Sequence, residues 1–144
     1  MLGQALARAG VRPDLVVTGQ MRRHAQTADA MLEGAAWDVP RSVDGGWDEF
    51  DHLQVLAVHA PPASDEAVSE KHAFQRWFEE ATSRWTSGDH DDDYDESFST
   101  FTQRVEQSLG RLAKQLTGSQ TAVVVTSGGP VSWTTASLLG TGTD

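Results

Sequence analysis

Three stretches of this sequence carry side chains that can do chemistry: the adjacent Arg22 and Arg23 in "VTGQMRRHAQTADAML", Glu49 in "SVDGGWDEFDH", and Ser127 with Gly128 in "VVVTSGGPVS". The arginines follow an apolar run, "DLVV", and open a stretch of helical periodicity. That order puts both in the first turn of a helix, beside free backbone N–H groups at the positive end of the dipole. Cations there cost about 0.3–1 kcal/mol each. A bound anion would offset the cost, since guanidinium forks grip phosphate through paired hydrogen bonds. A solvated arginine pair serving solubility would read the same way. Glu49 is flanked by Trp47 and Phe50, and apolar surroundings can raise a carboxyl into the range of a general acid. A surface carboxylate in an acidic loop is the plainer alternative. Ser127 and the two glycines after it stand between a strand and a helix opened by Pro130, an arrangement that offers N–H groups to an anion. It also faintly resembles a nucleophile elbow, but Val125 stands where that motif wants its first glycine.

The elements that must position these groups follow from periodicity. "LGQALARA" (2–9) has helical spacing with Gly10 as its stop, and "PDLVVT" reads as a buried strand. "RRHAQTADAMLEG" reads as a helix with Ala25, Ala28, Met31 and Leu32 on one face and Gly34 at its end. A short strand in "DVPRSV" then leads into a glycine-containing loop. "PPASD" is a turn, and residues 67–85 read as a helix with Ala73, Phe74, Trp77 and Phe78 on its apolar side. After a charged loop, residues 97–116 form a long amphipathic helix with Phe98, Phe101, Val105, Leu109, Leu112 and Leu116 in register. "TAVVV" is a buried strand, followed by a tight turn and a last helix. Helices alternating with short apolar strands indicate an α/β fold with a parallel sheet covered on both faces. Ligands in such sheets bind at the carboxyl ends of the strands, which nominates the turns after "DLVVT" and "AVVVTS".

At 144 residues the chain is one domain at most, able to bury roughly 68–70% of its unfolded surface. The formal charge of −10 and pI near 4.7 argue against nucleic acid or an anionic membrane as partner. No cysteine is present, which removes disulfides and thiolate chemistry. The N-terminus does not read as a signal peptide, and "TAVVV" is too short to span a bilayer; the expectation is a cytoplasmic protein. Asp91, Asp93 and Asp95 alternate as in a calcium loop, but Glu96 takes the required glycine position and Thr102 the bidentate-acid position. That run reads as a solvated loop. No His pair has zinc-ligand spacing, and His52, His59 and His72 read as loop or surface residues without a visible partner.

Together these pieces resemble the histidine phosphatase superfamily, the branch that includes phosphoglycerate mutases. "TGQMRRHAQTA" is similar to the family's first helix entry at Arg23, Gln26, Thr27 and Ala28; "GGWDEFDH" puts Glu49 on its acidic position; "DESFSTFTQRV" and "VVVTSGGP" match its later segments, with Ser127 where the family has histidine. The opening "LGQALARAGVRPDLVVTG" also resembles the family, so the likeness covers nearly the whole chain. It implies a three-layer, phosphoglycerate mutase-like α/β fold over residues 1–144, with an insertion-like excursion at about residues 53–96. It implies a phosphomonoesterase or phosphomutase working through a phosphohistidine, on a small phosphorylated substrate or inorganic phosphate. Arg23, Ser127 and Gly128 would bind the phosphoryl group and Glu49 would be catalytic. No metal or cofactor is needed, because arginines neutralise the charge.

The family's nucleophilic histidine, in an Arg-His-Gly triplet on a first strand, has no counterpart here. His24 falls at the family's alanine position. The chain therefore reads as a fragment, incomplete at the N-terminus and at the C-terminal "SLLGTGTD", and inactive by the family's route as it stands. Unpaired sheet edges would favour homo-oligomers. Two other readings stay open: a pseudoenzyme that binds a phosphorylated ligand without turnover, and a serine hydrolase using Ser127. The second is disfavoured because no Asp–His pair is recognisable beside it.

Overall fold

The hydrophobic pattern resolves into three parallel strands and six helices among the described residues, 1–60 and 70–140, of a computed structural model. The chain divides into two units, residues 1–49 with 104–144, and residues 50–103.

The first unit holds the sheet, in the order β2-β1-β3: β1 is Leu15–Thr18, β2 Arg41–Val43 and β3 Ala122–Val125. Central β1 is buried along its whole length, which is why it reads as an unbroken apolar run rather than an alternating one. Its last residue, Thr18, pairs with Val43 on one side and Val125 on the other, so all three strands finish level. Val16, Ala28, Met31 and Val125 form one buried cluster of the core, with Leu6, Leu32, Trp37, Val39 and Val123 packed around it.

Helix α1 (Leu2–Arg8) lies against α2 (Arg22–Ala35). The only buried residue of α1 is Gly3, and a Cβ there would fall 2.1 Å from the Met31 carbonyl oxygen. Gly34, expected to stop α2, faces α1 instead, with Gly3 Cα 3.9 Å from the site of its Cβ. The helix ends one turn position later, where Ala36 adopts φ 52° and caps it. Small residues at this crossing serve close approach, so the sequence signal for a helix stop was a packing signal.

In the second unit, α3 (His52–Val58) begins at Asp51, whose carboxylate accepts from the N–H groups of Leu53 and Gln54. This seven-residue helix was not expected; one this short is held by the burial of Val55 and Leu56 rather than by propensity. Helix α4 runs Glu70–Thr86; the expected start at 67 and the "PPASD" turn lie outside the described residues. Its buried stripe is Ala81 and Trp85, preceded by the half-buried Ala73 and Trp77. Phe74 and Phe78, expected on the apolar side, are exposed and stack on each other at 6.4 Å. Trp85 centres an aromatic cluster with Phe50, Phe98 and Phe101, and its indole N–H donates to the Glu96 carbonyl.

The acidic run is tied down rather than free: Arg84 pairs with Asp93 and donates to the Tyr94 hydroxyl at 2.9 Å, and Ser99 donates to Asp91. His59, read as partnerless, lies 3.7 Å from Glu80. Helix α5 (Phe98–Gln115) starts in this unit and finishes in the first. Within the first unit it buries Val105, Ser108 and Leu112, and Ser108 rather than Leu109 is the fully buried residue of the middle turn. Helix α6 (Gly128–Leu139) follows β3.

Candidate functional site

Because the strands of the first unit end level, the segments leaving β1 and β3 meet. Helix α2 starts at Arg22, so both arginines occupy its first turn. Of the two, Arg23 is the one that reaches across, its Nε and Nη2 donating to Ser127 Oγ at 3.2 and 3.0 Å. Arg22 is exposed and its side chain makes no hydrogen bond or ion pair among the described residues. Ser127 is the N-cap of α6, half-buried and with no capping bond from its side chain. The hydroxyl is turned to its neighbours in space, where a capping serine would serve its own helix.

A third group, which sequence reasoning did not place here, completes the contact. His24 is 2% exposed, and its Nε2 lies 2.6 Å from Ser127 Oγ. Its other nitrogen, Nδ1, makes no hydrogen bond and lies 3.7 Å from Asp48 Oδ1. Gly19 makes this approach feasible: a Cβ there would sit 2.4 Å from His24 Nδ1 and 2.5 Å from Asp48 Oδ1. Burial, then the charge of Arg23, lower the His24 pKa below its usual value; Asp48 and Glu49 oppose the shift without cancelling it. His24 is therefore a neutral imidazole at pH 7.

Asp48 and Glu49 leave a single 3-10 turn, Gly45–Trp47, that had been expected as loop. Four side chains fix it. Asp44 caps the turn through the Gly46 N–H at 2.9 Å; Arg111 donates to both Asp44 oxygens; Arg104 donates to the carbonyls of Gly46 and Asp48 at 3.0 and 2.7 Å; and Thr126 donates to the Trp47 carbonyl. Burial by itself would raise the Asp44 pKa, but the Gly46 N–H and the Arg111 and Ser108 hydrogen bonds outweigh it and hold the carboxyl low. From this platform Asp48 Oδ1 accepts from the N–H groups of Gln20 and Met21 at 2.6 and 3.3 Å. Glu49 Oε2 accepts from the Gly129 N–H at 3.0 Å, in the first turn of α6. Gly128 is exposed beside it.

The structure thus brings Arg23, Glu49, Ser127 and Gly128 together and adds His24, Asp48 and Arg104. Arg23 also borders an open cleft of about 350 Å³ lined by Leu2, Gln26, Thr27, Ala30 and Met31. Among the described residues no group of three or more acidic, His or Cys side chains could hold a metal ion. No helix there is long and apolar enough to cross a membrane.

A family model for the histidine phosphatase superfamily, branch 1, matches residues 1–144. The chain belongs to that superfamily. A solved structure of similar fold comes from Escherichia coli, a protein described as a "putative alpha-ribazole-5'-P phosphatase". The likeness has a TM-score of 0.60 at 22% identity and covers 96% of this chain and 64% of that one. At that identity it speaks to the fold, a mixed α/β architecture around a parallel sheet. No curated protein sequence matches the chain. Against the superfamily's pattern, the sequence holds no Arg-His-Gly triplet and carries Ser127 where the late histidine is expected.

Proposed function

We propose that the site takes the phosphoryl group of a phosphomonoester. In this reading the Arg23 guanidinium neutralises the phosphoryl oxygens, Ser127 and the Gly128 N–H add donors, and Glu49 delivers a proton to the leaving oxygen. The whole protein would be a phosphatase or phosphomutase of small phosphorylated metabolites, passing the group through a phosphohistidine. The chain as given lacks that histidine and would bind without turning over by that route. The observation that carries the reading is the convergence of Arg23 Nε and Nη2 on Ser127 at the start of α6. Two cationic donors aimed at one point beside a helix N-terminus suit a tetrahedral oxyanion. The carboxylate of Glu49 on the Gly129 N–H supports its assignment, because it keeps the acid one residue from the proposed phosphoryl seat. A cytoplasmic setting and self-association belong to the same proposal; the exposed Val131 and Leu138 of α6 are in keeping with the latter.

The test is calorimetric titration with inorganic phosphate and orthovanadate. Losing a charge-assisted donor pair costs about 1.5–3 kcal/mol, roughly 10- to 150-fold in Kd. Arg23→Ala should weaken binding by that factor at unchanged melting temperature. Equal affinity in the variant would remove the reading.

A further inference from the structure

The hydrogen bonds around Ser127 can be satisfied in one arrangement. Its oxygen has two acceptor sites and one proton. Arg23 is always protonated and can only donate, so Nε and Nη2 take both acceptor sites. The hydroxyl proton is left for His24 Nε2, 2.6 Å away. Were Nε2 protonated instead, three N–H groups would crowd one oxygen and the hydroxyl proton would have no acceptor. Nε2 is thus the bare nitrogen, and the ring proton sits on Nδ1, turned to Asp48 Oδ1 at 3.7 Å. The base is 98% enclosed while the serine is half-buried, so a reagent can meet the oxygen without meeting the imidazole.

We infer that Ser127 is a nucleophile, with His24 as its general base, Asp48 as the positioning residue behind the imidazole and Arg23 as the cation that receives a phosphoryl group. The chemical class is the phosphoryl ester with a good leaving group. In the first step Oγ attacks phosphorus, the Oγ–P bond forms, and the P–O bond to the leaving aryloxide breaks; the hydroxyl proton passes to His24 Nε2. In the second, water attacks the phosphoserine, the P–Oγ bond breaks, His24 returns its proton to Ser127 Oγ, and the phosphoryl group leaves as dihydrogen phosphate carrying both protons of the water. No further reactant is required. Arg23 favours phosphorus over a carboxyl ester, because its donors already lie 3.0 and 3.2 Å from Oγ and can pass to the oxygens of a bound phosphoryl group. This nucleophile lies within the chain and is separate from the phosphohistidine route. Its receipt of a phosphoryl group rests on the Arg23 reading above, whereas the nucleophile itself is tested without reference to equilibrium phosphate affinity.

The test is covalent labelling by a fluorophosphonate, where fluoride leaves in place of aryloxide, read by intact mass and peptide mapping. One adduct at Ser127 is expected, absent in Ser127→Ala and slowed ~100-fold or more in His24→Asn, the span of general-base catalysis. The groups facing His24 are Arg23 on its own helix and Asp48 and Glu49 on the adjoining segment. The rate should rise with pH through an inflection below the ordinary histidine value of 6.5, and Asp48→Asn should move that inflection to lower pH by removing a charge that favours the imidazolium. That pH profile decides the matter if His24→Asn fails to fold. A purely structural hydrogen bond would give no such inflection. No adduct at Ser127, the same rate in heat-unfolded chain, or a rate flat in pH overturns the assignment. With p-nitrophenyl phosphate, a stoichiometric burst of p-nitrophenolate with phosphate on Ser127 is expected; fluorophosphonate labelling without that burst overturns the phosphoryl class.

Discussion

Gly46→Ala tests whether the turn that delivers Asp48 and Glu49 is seated on α5 as described. A Cβ at Gly46 would lie 1.7 Å from Ser108 Oγ, 3.0 Å from Ser108 Cβ and 3.0 Å from the Arg104 carbonyl oxygen. Ser108 is fully enclosed and cannot swing outward freely. Rotating its hydroxyl away would break the bond that Arg111 donates at 2.8 Å, a loss of about 0.5–1.5 kcal/mol. The remaining contacts are backbone and Cβ atoms, which yield only if the turn lifts, and overpacking of that kind costs about 1–3 kcal/mol. The sum is roughly 1.5–4.5 kcal/mol, read from urea unfolding followed by circular dichroism. Gly110→Ala, on the same helix with nothing within 4 Å of its Cβ, is the control and should stabilise by about 0.5–1 kcal/mol. Gly46→Ala within about 0.5 kcal/mol of the parent, the ordinary range for an unconstrained surface change, would refute the seating of the turn.

Trp85→Ala should destabilise the chain by about 3–5 kcal/mol in the same assay, because it empties an aromatic cluster and removes the indole donor to the Glu96 carbonyl. Stability should also depend on pH through His24. Its folded pKa is below the unfolded value of 6.5, so the unfolded state binds the proton first, and this contribution is complete above that pH and lost as pH falls through the folded value. Asp44, held below 3.8, adds a further loss at more acid pH. Melting temperature recorded from pH 8 to 4 should fall below pH 6.5 in the parent, with the His24 part of the fall missing in His24→Asn; identical profiles would contradict the buried neutral imidazole.

Much of the frame was legible because local pattern and final environment agree. "LVVT" is buried on both faces and reads so, and the Arg23, Glu49 and Ser127 segments occur in an order that resembles one family. The parts that were not legible depend on distance in sequence. His24 beside Arg23 resembles an unremarkable helix residue until β3 carries Ser127 to it, 103 positions along the chain. Asp48 and Glu49 are adjacent carboxylates with no sequence cue to separate one that faces His24 from one that faces α6. Arg104 lies mid-helix among other polar residues, and only the carbonyls of the 3-10 turn make it structural. Phe74 and Phe78 mislead in the other direction, since apolar type at helical spacing does not say which of two faces is covered.

A two-dimensional ¹⁵N NMR titration of the chain with inorganic phosphate tests phosphoryl binding at the start of α6 most directly. The Arg23 side-chain Nε–H and the Gly128 backbone N–H should shift together along one saturable curve. Shifts confined to other arginines, or none at either group, would contradict it.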